Sequence, residues 1–362
     1  MFGRMRCISL YCLAFARPTT HNSQRSGLDR RSLLNMAARP SSIPNDTIIL
    51  KSQCHCQRVI LDITLPKDPI DDDERMKNTR AFNCHCAACR KYHTAAYVSY
   101  LEVPKSQMAI RRGGDDIRKY NISSCQSLGG DVVERWYCKN CSSKLLTTAK
   151  NDDEDGCKSR GSYWVNLGPI YDDSIPLSYS KHWKEQLKLE ENNLHSDNAA
   201  CCWKDALPNY TPQPTTTWNG GCACGACRYE IAITRPAQLQ HCYCHLCREM
   251  SGGPYMTWIP VYKRDFTWKK PQSDNDAVEL TRTTKFGSRH ICSQCRGVLT
   301  IVYDSQPDII WPCAGGLDDM SLPTSSEEMG TYLKRVCHIC CRHLPPWSDL
   351  PEDGMERIAD AC

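Results

Sequence analysis

One arrangement of cysteines occurs twice in this chain, and it constrains the fold more than any other feature. The first copy reads Cys54-x-Cys56, then Cys84-x-Cys86-x-x-Cys89, then Cys138-x-x-Cys141. The second reads Cys222-x-Cys224, then Cys242-x-Cys244-x-x-Cys247, then Cys292-x-x-Cys295. Thiolates two or three residues apart can converge on a single soft ion, and a tetrahedral zinc site needs four such donors. Seven thiolates per copy divide as four plus three. The count predicts one closed zinc site and one three-thiolate site with an open position in each copy, so two Zn2+ per copy and up to four per chain.

The length of 362 residues suits two domains, each small enough to gain from a metal staple. An even count of 26 cysteines also fits a secreted disulfide framework. The C-x-C and C-x-x-C spacings favour metal over structural bridges, and metal thiolates imply a reducing compartment; the expected location is cytoplasmic. The net charge is +4 with both signs mixed and no basic stripe, so a nucleic-acid partner is not expected. No run approaches the ~20 apolar residues of a membrane span. Residues 1–40 carry Arg4, Arg6, Arg17, Arg25, Arg30, Arg31 and Arg39 against Asp29, the composition of a mitochondrial presequence, which gives mitochondrial as the alternative location. The apolar run Cys7 to Phe15 ends in Ala14-Phe15-Ala16, which also mimics a secretory cleavage site. The plainer reading is a disordered leader, or an extension upstream of Met36.

The chain divides into a polar leader (1–48), a first copy (49–190), an Asn/Asp/Pro/Thr-rich linker (191–214) and a second copy (215–356). Short β-branched or aromatic runs follow each cysteine cluster: Val59–Thr64 and Arg228–Ile233, Ala96–Tyr100 and Tyr255–Ile259, Lys144–Thr148 and Val298–Tyr303. Helical signal is sparse and strongest over Trp183–Glu191. Each copy therefore reads as a mostly antiparallel β domain with cysteines on turns and the last C-x-x-C as a zinc knuckle. Copy one carries ten more residues before its middle cluster, where Pro66–Asp73 reads as an exposed loop.

Copy two resembles the glutathione-dependent formaldehyde-activating family, which includes centromere protein V. The resemblance lies in Gly220-Gly221-Cys222-Ala223-Cys224-Gly225, in Cys242-Tyr243-Cys244-His245-Leu246-Cys247-Arg248 with Gly252, and in Cys292-Ser293-Gln294-Cys295. It extends to the turn Ala314-Gly315-Gly316-Leu317-Asp318-Asp319 and to the ending from Trp347 to Gly354. Copy one keeps all its cysteines, and His85 as well. It has Gln57 where copy two has Gly225, no glycine after its middle cluster, and Asn166-Leu167-Gly168-Pro169-Ile170 at the Asp-containing turn. The resemblance implies two tandem zinc-stapled β-tent domains of twisted antiparallel sheets. It also assigns the ligands. The closed sites are Cys54, Cys56, Cys138 and Cys141, and Cys222, Cys224, Cys292 and Cys295. The open sites are Cys84, Cys86 and Cys89, and Cys242, Cys244 and Cys247.

Three thiolates leave a tetrahedral position for water or a substrate thiol, and zinc deprotonates a bound thiol near neutral pH. The resemblance thus implies a carbon–sulfur lyase-type enzyme joining glutathione, or another thiol, to formaldehyde. Cys242, Cys244, Cys247 and Arg248 would form its site, with Arg248 holding a carboxylate or offsetting thiolate charge. A solvated arginine is the plain alternative for Arg90 and Arg248. Cys313 is a candidate to close the second site, and His85 and His93 are candidate ligands or ordinary core histidines. The glycine losses predict a narrowed approach in copy one, so thiol binding is expected in copy two. The competing function is a non-enzymatic zinc scaffold binding protein, chromatin or cytoskeleton.

Overall fold

Runs of β-branched and aromatic residues alternate with the cysteine-bearing turns, and in a computed structural model they pair as sheets. The structure describes residues 46–69, 76, 79–123, 132–149, 161–194, 216–234, 236–269, 277–323 and 332–360. Most of the leader, most of the linker and part of the Pro66–Asp73 loop lie outside these, as do Cys7, Cys12, Cys125, Cys157, Cys201, Cys202 and Cys362. The first strand opens at Thr47, inside the expected leader.

In copy one, Thr47–Gln53, Ile60–Pro66 and Met108–Arg112 form a three-stranded antiparallel sheet. A seven-stranded sheet accompanies it, in the order Asn193–Leu194, Arg80–Cys84, Val98–Pro104, Ser162–Asn166, Lys144–Ala149, Val132–Cys138, Ile117–Ser123. Copy two repeats the small sheet with Thr216–Gly221, Arg228–Ile233 and Phe266–Lys269. Its large sheet is divided. Four strands run in the order Met256–Trp258, Ala237–Cys242, Leu333–Ile339, Glu356–Ile358. Five run Val261–Tyr262, Ile309–Pro312, Val298–Tyr303, Gly287–Cys292, Val278–Thr284. Where copy one ladders Tyr100 against Asn166, copy two keeps an isolated bridge between Trp258 and Cys313.

Period-two burial explains the small sheets. Leu61, Ile63 and Leu65 face inward on one strand, and Tyr229, Ile231 and Ile233 on its counterpart. Each such side chain contributes about 1.5–3 kcal/mol relative to exposure. There are three α-helices among the described residues: α1 (Ala87–His93), α2 (Leu177–Lys188) and α3 (His245–Ser251). The helix expected over Trp183–Glu191 starts earlier, after Pro176, and stops at Lys188. Tyr179 and Trp183, one turn apart and fully buried, anchor its inner face in the first copy's core.

Residues Asp46–Asp360 form one compact unit, so the two copies share one body. Equivalent residues meet each other across the boundary. His93 and Ser251 occupy the same position after their clusters, and His93 Nδ1 lies 2.6 Å from the Ser251 carbonyl. Tyr97 meets its counterpart Tyr255 with ring centroids 5.9 Å apart. Ser142 Oγ accepts from Nε of its counterpart Arg296 at 3.0 Å. Self-meeting pairs are the mark of an isologous, two-fold-like interface. The covering is mutual: Trp347 of copy two sits in the first copy's core, and Tyr120 of copy one packs on the second's.

Candidate metal centres

The four-thiolate groups are built by two turns in each copy. The turn between the first two strands supplies Cys54 and Cys56, or Cys222 and Cys224. The knuckle between later strands supplies Cys138 and Cys141, or Cys292 and Cys295. The turns are held by backbone bonds from Cys54 N to Val59 O (3.1 Å) and from Cys222 N to Cys227 O (3.0 Å). The N–H groups of Val59 and Cys227 donate to the sulfurs of Cys54 and Cys222, each at 3.2 Å, an arrangement that favours thiolate. Cys56 Sγ lies 3.5 and 3.6 Å from those of Cys54 and Cys138, Cys224 Sγ lies 3.3 and 3.6 Å from those of Cys222 and Cys292, and all four sulfurs of each group lie within 4.8 Å of one another. A tetrahedron with Zn–S of about 2.3 Å has edges of about 3.8 Å, so the donors fit zinc in type, number and spacing. Cys227 is not among them; its sulfur donates to the Ala277 carbonyl at 3.2 Å.

The three-thiolate groups sit where a strand enters a helix. Cys84 and Cys242 end their strands, and Cys86 and Cys244 are the N-caps of α1 and α3. The cap sulfur accepts the N–H of Cys89 at 3.3 Å and of Cys247 at 3.5 Å, so the helix start aims both sulfurs at one point. Each trio lies within 4.8 Å. The copies differ in access: Cys84, Cys86 and Cys89 are all buried, whereas Cys244 is partly exposed.

Cys313 does not close the second group. It is fully buried and lies outside the trio of converging sulfurs. Burial pushes that thiol well above its usual 9.0. The sulfur of Cys340 stands 3.7 Å from that of Cys242. His93 is a buried polar link, with Nε2 at 2.9 Å from Tyr100 Oη, and burial holds it neutral, well below 6.5. The His85 ring lies tilted against that of Tyr97, with centroids 4.9 Å apart.

The arginines after the third cysteines have partners inside the chain, and Arg248, expected to hold a carboxylate or offset thiolate charge, is engaged by a carboxylate of the chain itself. Arg248 is 1% exposed and donates two bonds to Asp172 of copy one, at 2.7 and 3.1 Å. Arg90 reciprocates with Asp319 of copy two, at 2.5 and 2.9 Å. Lys91 and Arg228 both bind Asp318. Burial works against the charge on Asp172, but the bonds from His245 and Arg248 outweigh it and hold the carboxyl below its usual 3.8. Gly168 and Gly315 each precede the paired aspartate by four residues. A Cβ on Gly168 would meet the Arg248 carbonyl at 2.4 Å, and one on Gly315 the Ala95 nitrogen at 2.4 Å. Copy one thus keeps the working part of the turn although its sequence there looks eroded.

The two turns that lack glycine in copy one keep the glycine-like backbone. Gln57 and Thr94 take left-handed conformations, φ 59° and 53°, like Gly225 and Gly252 at 81° and 78°. A Cβ on Gly225 would meet nothing within 4 Å. The loss of that glycine strains a turn without crowding the metal group. What covers the first copy's trio is burial among its own sheet and helix.

Two residues escaped the sequence reading. Arg135 and Arg289 stand three residues before each C-x-x-C and reach the third cysteine of the middle group. Their equal spacing from the knuckle in both copies was the available signal.

A family profile described as "Glutathione-dependent formaldehyde-activating enzyme" matches residues 49–172 and 217–342. Two tandem domains of one cysteine pattern and mainly β fold define the class, and the chain belongs to this family. A Halomonas elongata protein named "Putative glutathione-dependent formaldehyde-activating enzyme" is 26% identical over 141 residues, covering 38% of this chain and 83% of that protein. A crystal structure of a Rhodobacter sphaeroides protein is 18% identical with a TM-score of 0.23, covering 33% of this chain and 85% of that one.

Proposed function

We propose that the chain is a zinc-dependent carbon–sulfur lyase-type enzyme that acts on a glutathione or other thiol adduct of a small aldehyde, with the chemistry in copy two. The observation that carries this reading is the converging trio Cys242, Cys244 and Cys247, with Cys244 partly exposed and the four cysteines Cys222, Cys224, Cys292 and Cys295 forming a group of their own. A zinc ion held by those three would lower the pKa of a thiol in its fourth position. The thiol sulfur forms a bond to the aldehyde carbon, the C=O π pair moves to oxygen, and that oxygen takes a proton; the reverse breaks the C–S bond. The strand ending at Cys242 and the cap of α3 fix the three sulfurs before any ligand arrives. Arg248 contributes by pinning α3 to Asp172, so its carboxylate-holding role toward glutathione is not retained. For copy one, burial of all three sulfurs supports a structural metal site. The scaffold alternative has that burial in its favour for one half of the molecule only.

The test is proton-exchange NMR of glutathione and formaldehyde with the zinc-loaded full chain. Accelerated exchange between free and S-hydroxymethylated glutathione, lost in Cys244→Ala and kept in Cys86→Ala, is the expected result. No acceleration by the wild-type chain, with all metal sites filled, overturns the enzyme reading.

A further inference from the structure

Arg135 lies on the strand Val132–Cys138 and Arg289 on Gly287–Cys292, and they are 1% and 2% exposed. Nη2 of Arg135 is 3.4 Å from Cys89 Sγ, and Nη2 of Arg289 is 4.0 Å from Cys247 Sγ. Each guanidinium lies near an aromatic ring, 4.7 Å from the Tyr92 centroid and 5.7 Å from that of Trp258. Arg289 Nη1 donates to Thr283 Oγ1 at 2.5 Å. Among the described residues, Nε and Nη1 of Arg135 and Nε of Arg289 meet no hydrogen-bond partner, and neither arginine pairs with a carboxylate.

Burying a guanidinium costs several kcal/mol unless an opposite charge lies beside it. The thiolates are the anions beside these two. A divalent ion on three thiolates keeps one negative charge, and a fourth thiolate raises it to two. A fixed guanidinium offsets that excess and favours an anionic fourth ligand over a neutral one.

We infer that Arg135 and Arg289 are positioning residues of the three-thiolate sites, offsetting the charge of the metal–thiolate centre and selecting a thiolate as the added ligand. This rests on the reading that the trios hold metal. Neither residue forms the C–S bond; each acts through the cysteine it faces.

Cobalt titration of the full chain tests this, read by sulfur-to-cobalt charge-transfer absorption, with Arg289→Met, Arg289→Lys and Arg135→Met beside the wild type. Arg289→Met is expected to weaken one of the two labile sites by about tenfold or more, the usual effect of removing a partner that orients a metal ligand. It should also weaken the glutathione-induced spectral change at that site more than the change induced by imidazole, a neutral ligand. Arg289→Lys should restore most of both, and Arg135→Met should act on the other labile site. Equal cobalt affinity in wild type and Arg289→Met, with only a lower melting temperature in the variant, overturns the inference alone. If Arg289→Met fails to fold, the same comparison of the neutral Arg289→Gln with wild type decides: unchanged affinity and ligand preference overturn it. A wild-type chain that binds only two ions overturns the reading beneath it, and this inference with it.

Discussion

Cys295 and Cys244 carry the sharpest contrast at the scale of single residues. Cys295 is fully buried and closes a four-thiolate group that joins distant turns, whereas Cys244 is partly exposed and caps a short helix. Cys295→Ala is expected to lower the melting temperature far more than Cys244→Ala, while Cys244→Ala removes thiol-adduct exchange. Melting followed by circular dichroism, with metal analysis of each variant, checks both. Equal loss of stability would make both groups structural. The paired arginines give a second contrast. Asp172→Asn leaves the buried Arg248 without its anion, which costs about 3 kcal/mol or more. Asp319→Asn should cost less, because the Asp319 side chain is 46% exposed and water replaces part of what is lost. Urea unfolding of the two variants measures the difference, and an equal or reversed order would refute it.

At the scale of elements, the knuckle strands and the Asp-bearing turns do their work across the copy boundary. Lys144, fully buried, donates to the Arg296 carbonyl at 2.7 Å and lies 4.3 Å from the centroid of the Tyr92 ring. Burial pushes its ammonium down to about 7, with Cys295 pulling the other way. Trp347, 1% exposed, belongs to the first copy's core although it follows the second copy's last long strand. Separated halves would expose these groups and the faces on which Gly168 and Gly315 dock. Fragments 49–190 and 215–362 are therefore expected to aggregate alone and to be recovered as a one-to-one complex when expressed together. Size-exclusion chromatography with light scattering checks this; two stable, independently folded monomers would contradict it.

For the whole molecule, metal and fold should be lost together. Structural zinc contributes on the order of 10 kcal/mol to small zinc modules, a large fraction of any domain's stability. Elemental analysis is expected to find up to four zinc ions, two tightly held and two removable by a mild chelator. Strong chelation should abolish the cooperative melt of both copies in one step, since each core is covered partly by the other copy. Two separate transitions would show that the boundary is weaker than its ion pairs suggest.

The cysteine spacing by itself determined the four-plus-three count and the two-domain order, because each short motif is written locally; which motifs share a group was implied by the family resemblance, and the fold brings those distant turns together. Period-two runs likewise determined that the chain is mainly β. The erosion of copy one was misjudged from sequence, since Asp172 and Gly168 do their work against Arg248, a residue of the other copy. For the same reason Arg248 looked able to hold a ligand carboxylate, and Arg135 and Arg289 offered only their equal spacing from the knuckle, which does not say which cysteine each one faces. Which cation is paired, which trio is reachable and which halves depend on each other are set by contacts between residues far apart in the chain, and only the tertiary structure brings those together.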